Sequence, residues 1–537
     1  MIEQMANLTK SQVCENYRVL IPLIALLVGA CASIQDSPEL NPDASAPASP
    51  RSTWVPDDKR PANRSLDDLF VLPPMSQEDP STQEDPSPEN ASGILQNLDG
   101  SVPPSSPTSP LDLPQLIDVA LEKNPQTRAA WQRSRIAAAE VGESMSDYYP
   151  DLSFEAVGGY SKRALPFPDG TAVYKGADII PQLEITYILL DFGRRTASAE
   201  SARRRLAAAN FSFNRELQRV IYNVESSFYE YDAARALEAA ASLNLDLALS
   251  VLDDVHRRLE LGLATRPDLL LARQVEAQAI YDLESAKVTV FNARSKLALA
   301  MGLPANSELH VVNLFDQPLP AELETKVEAM IDLALAQRPD LQAQVARLRA
   351  SEAELKKAKA AFFPTIGVEG AYGGQWGDYS LYGADVGAPG INTEQRRHGI
   401  GSIYNAQLVI SWPLFEGFSR KNRVRQARAN QERQREILRA IELEATNEVW
   451  GVYNDYQASY RRYEYGAALL EASEEAYEAT RESYDNGLRT IDDLLRAERD
   501  LSAARYTLIG ARAELLSTAA RLGFALGQIT VSAQDVQ

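Results

Sequence analysis

The first residues that could do chemistry are carboxylates at matching positions in the two halves of the chain. Glu155 and Glu369 occupy equivalent places in two short alternating segments, and such a pair could act as general acid and general base. Both residues lie on the polar face of their segment, which favours a water-facing wall instead. The sequence contains no nucleophile with a partner base. We therefore predict that the protein is not an enzyme.

Metal ligands and cofactor motifs are scarce. Both cysteines, Cys14 and Cys31, lie near the N-terminus, and the three histidines are scattered singly. The glycine-rich segment 369–377 is followed by neither a helix start nor a lysine, so it does not fit a phosphate-binding loop. We therefore expect no metal site and no cofactor.

The charge of the chain restricts its partners. The 537 residues include 54 basic and 74 acidic side chains, which give a formal charge of −20. An acidic surface repels a phosphate backbone, so we exclude nucleic acid as the main partner. The length and the 45% hydrophobic content allow a substantial core.

The N-terminus has the pattern of an export signal. Residues 19–28 form an apolar run that is too short to span a bilayer, and small residues precede Cys31. The sequence VGAC resembles the lipobox of bacterial lipoproteins, in which the cysteine is lipidated. We predict a signal peptide over 1–30 and a lipidated Cys31, with an ordinary signal peptide and an incidental cysteine as the alternative. Residues 31–110 are rich in Pro and Ser and predict a disordered tether.

The rest of the chain is an internal repeat. The segment IDVALEKNP at 117–125 matches IDLALAQRP at 331–339, and later segments match in the same order. Similarity of this kind indicates a duplicated structural unit. We predict a first repeat over 111–303, a linker over 304–327, a second repeat over 328–528 and a C-terminal tail over 529–537.

Both copies predict the same order of elements. Helical spacing of apolar residues continues from 114 to 149 until Pro150 stops the helix. Two alternating segments then predict two strands in each copy, at 151–160, 181–187, 365–374 and 406–412. A stretch of about 68 residues almost free of Gly and Pro follows, and it predicts one helix about 100 Å long.

The long helices must end in tight reversals. The segments LGLATRPDLLLAR at 261–273 and NGLRTIDDLLRAE at 486–498 follow them, and each has an Asp at the same distance beyond the Gly. The two shorter helices of a copy, each about 35 residues long, can lie end to end beside the long one. We therefore expect the Gly-Leu segments at the tips of helical hairpins, where Gly262 and Gly487 provide the backbone freedom for the turn.

The predicted strands require self-association. Four strands cannot close a barrel alone, because transmembrane barrels begin at eight strands. A dimer would give a filled barrel and a trimer an open one with twelve strands. The predicted fold is therefore mainly α-helical with a contribution to a β-barrel.

These features together resemble the TolC family of outer-membrane efflux ducts. The similarity lies in the duplicated order of elements, the two Gly-Leu tips and the segments RPDL at 338–341, LLDFGRR at 189–195 and LFEGFSR at 414–420. It implies a homotrimer with a twelve-stranded barrel in outer-membrane lipid and a long helical barrel in the periplasm. It also implies a passive duct of a tripartite efflux or type I secretion system, with a periplasmic adaptor and an inner-membrane pump as partners.

The tips are candidates for adaptor docking. Exposed apolar residues beside a flexible Gly suit the packing of one helix tip on another, although a bare helix turn is the alternative. The candidate docking residues are Leu261, Gly262, Leu263, Asn486, Gly487 and Leu488.

The resemblance also implies a gate at the periplasmic mouth. In that family, links from a Tyr and an Arg on the second tip to an Asp on the first hold the mouth closed. The matching residues here are Tyr484, Arg489 and Asp268, while Asp493 would line the constriction and favour cations. Arg496 stands where the family has a second acidic ring. The alternative is that these are solvated charges at the tip.

A periplasmic coiled-coil adaptor or scaffold is the alternative function. Such proteins also use long helical hairpins. They carry compact β domains in place of two amphipathic strand pairs, and this difference favours the duct.

Overall fold

The computed structural model describes residues 46–56, 110–167, 170–313, 319–323, 325–382 and 395–529. The predicted signal peptide, the lipidation site Cys31, residues 32–45 and 57–109 of the predicted tether and residues 530–537 of the tail lie outside these ranges. Within them, no helix is long and apolar enough to cross a membrane.

The described chain is mainly helical, and its element order occurs twice. The first half contains α1 (Leu113–Lys123), α2 (Pro125–Ser146), β1 (Asp151–Phe167), β2 (Gly170–Leu190), α3 (Arg194–Glu260) and α4 (Arg266–Ala300). The second half contains α5 (Val327–Gln337), α6 (Pro339–Ala360), β3 (Thr365–Tyr382), β4 (Gln395–Ser411), α7 (Ser419–Asp485) and α8 (Ile491–Leu526). The long helices α3 and α7 have 67 residues each, as the sequence predicted.

The helix before the strands differs from the prediction. The sequence predicted one helix over 114–149, but the structure breaks it between α1 and α2. Asn124 is extended there, with ψ of 123°, and its side-chain Nδ2 donates a hydrogen bond to the Ala300 carbonyl. The cause is Pro125, because a proline disfavours the helical conformation of the residue before it.

The four strands form one antiparallel sheet in the order β1-β2-β3-β4. All four are longer than the predicted segments, because the pairing continues outward beyond the alternating cores. Apolar residues on one face pair across strands, as Leu152 does with Ile185 and Val368 with Leu408. Glu155 and Glu369 lie on the other face, where Gln407 donates a hydrogen bond to Glu369 at 3.1 Å. This agrees with a polar wall.

The described chain divides into two compact units. Ser134–Ala209 and Ala343–Arg439 form the strand-bearing unit, and Pro47–Arg133, Asn210–Gln342 and the part from Ala440 onward form the helical unit. In the helical unit, buried residues recur along α3 at helical spacing, including Phe213, Leu217, Val224 and Phe228. A second cluster joins Val449, Val452 and Tyr456 of α7 to Leu515 of α8. These apolar stripes hold the helices together.

Part of the predicted tether is folded against the helical unit. The Asn214 side chain exchanges two hydrogen bonds with the backbone of Trp54, at 2.8 and 2.7 Å, and the Trp54 ring packs edge-on against Phe211. The Trp131 indole donates a hydrogen bond to the Pro47 carbonyl. The prediction of disorder is therefore wrong for residues 46–56. The prediction of disorder was based on the average composition of the segment, which gives no information about the packing of one aromatic side chain such as Trp54.

Candidate functional site

The two long helices end at the tips in the same backbone motif. After α3, the Gly262 N–H donates to the Leu259 carbonyl at 3.0 Å and the Leu263 N–H to the Arg258 carbonyl at 2.7 Å. These two hydrogen bonds form a Schellman motif, which needs a residue in the left-handed helical conformation just past the helix. Gly262 has φ of +75°, and Gly487 repeats the arrangement after α7 with φ of +73°. The predicted need for glycine at both turns is confirmed.

The next helices begin with capping boxes. The Thr265 hydroxyl accepts a hydrogen bond from the Asp268 N–H, and Asp268 Oδ2 accepts one from the Thr265 N–H at 2.8 Å. Thr490 and Asp493 form the same pair at the start of α8. The recurrence of an Asp beyond each Gly therefore has a structural cause, because this Asp satisfies backbone donors at a helix start. The T-x-x-D spacing could have revealed the box from the sequence.

The leucines at the tips are uncovered within the described chain. Leu261 and Leu263 are each 74% exposed and Leu488 is 79% exposed. In a Schellman motif the residue after the glycine often contacts an apolar residue in the last helical turn. Here the residue at that helical position is Arg258 in α3 and Ser483 in α7. Neither Leu263 nor Leu488 therefore has an apolar partner of this kind.

A small apolar cluster supports both tips from beneath. Its buried members come from all four tip helices and include Val255, Leu269, Tyr484, Ile491 and Leu494. The exposed leucines therefore project from a packed base. An apolar residue on a rigid support is suited to binding another protein, because little conformational entropy is lost when a partner covers it.

Arg258 joins the ends of the two long helices. Its guanidinium pairs with Asp485 at 3.0 Å and with Asp254 at 2.9 Å, and it also donates a hydrogen bond to the Tyr484 carbonyl. The same group lies 4.3 Å from the centroid of the Tyr484 ring, which adds a cation–π contact. Sequence reasoning missed this residue. A basic residue in the last helical turn is a general C-terminal signal, but nothing in the sequence indicates its contact with the second tip.

The predicted gate residues are only partly brought together within one chain. Tyr484 is buried, and burial raises the pKa of its hydroxyl, while the charge of Arg258 opposes this rise and the acidic residues nearby, Asp268 among them, add to it. Neither the Tyr484 hydroxyl nor Arg489 hydrogen-bonds to Asp268 within the described part of this chain. Both hydrogen bonds accepted by Asp268 use Oδ2, so Oδ1 can accept another. Links to Asp268 stay a prediction for the assembled protein.

Asp493 carries its charge at neutral pH. Hydrogen bonds from Thr490 lower the pKa of this carboxyl, and the charges of Arg489 and Arg496 lower it further. Over the described residues no group of three or more His, Cys, Asp or Glu side chains could hold a metal ion.

A second carboxyl near the tips is buried. Glu498 lies two turns into α8, is 3% exposed, and its Oε2 has no hydrogen-bond partner among the described residues. Burial raises the pKa of Glu498 to about 7, against a smaller opposing effect of Arg499. Sequence reasoning missed this group too, because its burial depends on packing between helices.

Comparison with known proteins identifies the class. The family model described as outer membrane efflux protein matches residues 116–303 and 330–528. Protein CyaE of Bordetella pertussis is 28% identical over 366 residues, which cover 67% of this chain and 72% of CyaE. The cation efflux system protein CusC of Escherichia coli is 27% identical over 260 residues, which cover 47% of this chain and 53% of CusC. The chain thus spans about half the length of CusC.

A solved structure shares the fold. The outer-membrane channel OprN superposes with a TM-score of 0.65 at 23% identity, covering 78% of this chain and 90% of OprN. Since the family model matches well over half of the sequence, the chain belongs to the outer membrane efflux protein family. This membership confirms the predicted transport function and disfavours the alternative, a periplasmic adaptor or scaffold.

Proposed function

We propose that three copies of this chain form a duct with a twelve-stranded barrel in the outer membrane and a helical barrel in the periplasm. The sheet order carries this proposal, because β1 and β4 are both edge strands in the described sheet. A lipid-exposed edge with unpaired backbone groups is not tolerated in a bilayer. Pairing of β4 with β1 of the next copy removes both edges, and three copies close the ring.

The duct is passive and acts within a tripartite efflux or type I secretion system. An inner-membrane pump supplies the energy, and a periplasmic adaptor connects the pump to the tips. Lipid on Cys31 would give the trimer a second hold on the membrane. The sequence features behind this proposal are the export signal and the cysteine that follows it.

The proposed docking surface consists of Leu261, Gly262, Leu263, Asn486, Gly487 and Leu488. The exposed leucines on a packed base support it. Introducing charge with Leu263→Glu and Leu488→Glu should abolish co-purification with the periplasmic adaptor, while trimers still form on an unboiled gel.

The matched control keeps the tips apolar. Leu263→Met with Leu488→Met should bind the adaptor normally, because the exposed apolar area is retained. Normal binding by the Glu variant would refute the docking surface.

The proposed gate is a set of links from Tyr484 and Arg489 to Asp268, with Asp493 lining the constriction. The position of Tyr484 in the packed base of the tips, the free Oδ1 acceptor of Asp268 and the lowered pKa of Asp493 support it. An exposed link from Arg489 to Asp268 contributes about 0 to 1 kcal/mol, so a few such links per trimer can help to hold the mouth closed and still yield to an adaptor. A ring of Asp493 carboxylates would favour cations in the constriction.

Conductance in planar bilayers tests the gate. Tyr484→Phe with Arg489→Ser should conduct markedly more than wild type. The control variant Tyr477→Phe with Arg481→Ser changes the same residue types on α7, further from the tip, and should conduct as wild type does. Equal conductance of the gate variant and wild type would remove these links from the account.

Asp268 allows its two roles to be separated. Asp268→Asn retains an acceptor for the capping box and loses the charge, whereas Thr265→Val disrupts the cap and keeps the charge. If the gate uses the charge of Asp268, only Asp268→Asn should raise the conductance. A rise only in Thr265→Val would assign the effect to helix capping and contradict the gate.

A further inference from the structure

A basic groove lies beside the strand ends in the strand-bearing unit. Its volume is about 910 Å³, and its lining comes from the segment before β1 and from α3, α6 and α7. The basic side chains of this groove are Arg194, Arg195, Arg205, Lys357, Arg423 and Arg433. Among the described residues that line the groove, the acidic ones are Asp147 and Glu354. The groove is therefore cationic, although the chain as a whole carries −20.

Much of this positive charge is not neutralised within the chain. Arg205 pairs with Glu354 at 2.7 Å, and Arg195 pairs with Asp191 at 3.3 Å. For the other four basic side chains of the groove, no carboxylate of the described chain lies within ion-pair distance. Lys357 instead donates a hydrogen bond to the Ser198 hydroxyl at 3.0 Å. Such a groove is complementary to an anion.

Exposed aromatic residues cluster at the same strand ends. We call this set the aromatic belt: Tyr149, Phe192, Phe362, Phe363, Trp412, Phe415 and Phe418. Phe192 stacks on Phe363 with centroids 5.3 Å apart, and the Trp412 indole donates a hydrogen bond to the Phe362 carbonyl. Aromatic side chains concentrate where a membrane protein crosses from hydrocarbon to water.

The groove begins at the level where lipid headgroups would lie. The headgroup layer adds about 6 Å to each side of the hydrocarbon core. Arg194 is in the first turn of α3, just beyond the end of β2 at Leu190, and Arg423 is near the start of α7. Both guanidinium groups therefore belong to the end of the groove that is nearest to the strands.

We propose that the basic groove binds the phosphate group of an anionic phospholipid, such as phosphatidylglycerol, in the periplasmic leaflet of the outer membrane. The inference rests on the proposed function, since it requires the strands to lie in the membrane. Arginine pairs with phosphate through two parallel hydrogen bonds, and basic pockets beside membrane segments bind lipid headgroups. A soluble phosphate would use the same guanidinium groups but gains nothing from the aromatic belt, so the belt favours the lipid.

Native mass spectrometry of delipidated trimers in detergent tests the site. Wild type should retain added phosphatidylglycerol in preference to phosphatidylcholine. Arg194→Gln with Arg423→Gln should weaken phosphatidylglycerol binding at least tenfold. Arg203→Gln with Arg425→Gln removes the same charge from the same helices outside the groove and should bind as wild type does.

Three outcomes would overturn the proposal. The first is equal phosphatidylglycerol binding by the groove variant and wild type. The second is full displacement of the lipid by millimolar inorganic phosphate, which would make the groove a site for soluble anions. The third is loss of trimers in the groove variant alone, which would make the groove a subunit interface. Conductance of the groove variant in phosphatidylcholine bilayers keeps the proposed function separate, because a duct should conduct whether or not this lipid binds.

Discussion

Replacing Glu498 by Gln should make the free energy of unfolding of the protein less dependent on pH, because Glu498 is a buried ionisable group near the packed base of the tips. Glu498 shares the buried face of α8 with Leu495 and Leu501, and its Oε2 has no hydrogen-bond partner in the described chain. Gln has the same shape and cannot ionise. The variant therefore changes the charge of the site and little else.

The structure sets the size and sign of the effect. Burial raises the pKa of Glu498 from 4.5 to about 7, and one pKa unit corresponds to about 1.36 kcal/mol. The ionised carboxylate should thus destabilise the folded chain by about 3 kcal/mol above pH 7. Because the folded-state pKa is the higher one, the full stability is present below pH 4.5 and is lost as the pH rises through 7.

Guanidinium chloride unfolding in detergent, at fixed protein concentration and at pH 4.5 and 8, measures this effect. Wild type should lose stability between the two values, and Glu498→Gln should lose about 3 kcal/mol less. Burial also raises the pKa of Glu225 to about 7, so a residual slope should remain in the variant. Glu478→Gln alters an exposed carboxyl nearby and should keep the wild-type slope. The reasoning is refuted if Glu498→Gln and wild type lose equal stability.

Three further predictions concern the anchor, the tips and the N-terminal segment. Cys31→Ser should abolish acyl labelling and leave trimers largely intact, because the barrel already holds the protein in the membrane; labelling equal to wild type would exclude lipidation at this residue. Arg258→Met should destabilise the folded tips by about 1 to 3 kcal/mol, because the hydrogen bond and the cation–π contact at Tyr484 are lost. Backbone amides at both tips should then exchange hydrogen faster, and an unchanged exchange rate would show that the contact does not stabilise the tips. Trp54→Ala should make the chain near residue 54 sensitive to limited proteolysis, because the ring contact with Phe211 is lost. The control Val55→Ala should leave this segment protected, and equal protection of both variants would argue against the anchor role of Trp54.

Much of the fold follows from local signals in the sequence. The long stretch between Gly193 and Gly262 contains neither Gly nor Pro, and this alone predicts α3 almost to its ends. Alternation of apolar and polar residues predicts the strands, since it reports which face of a sheet meets a different environment. The strand ends beyond this alternation were missed because hydrogen bonding extends them without an amphipathic pattern.

The tips show where sequence reasoning falls short. The position of Gly262 was predictable from its backbone requirement, and Asp268 was visible as a repeated residue. Its capping role was overlooked, although T-x-x-D is a local pattern. Arg258 and Glu498 were not predictable, because the contacts of the first and the burial of the second depend on how separate helices pack.

Cross-linking across the outer edges of the sheet tests the trimeric duct most directly. Ser153 on β1 and Asn405 on β4 lie at the same level of one sheet, because the pairing runs through Glu184 and Ala371. Closing a barrel staggers this register from one copy to the next, so Asn405→Cys is combined in turn with cysteine at Ser153, Val157, Gly159 or Ser161 on the same face of β1. The pair that faces across the junction, treated in outer membranes with a flexible bismaleimide, should give dimers and trimers on a denaturing gel and nothing larger. The single variants should give no such ladder. Monomers alone, or a ladder that continues beyond three chains, would contradict closure of the barrel by three copies.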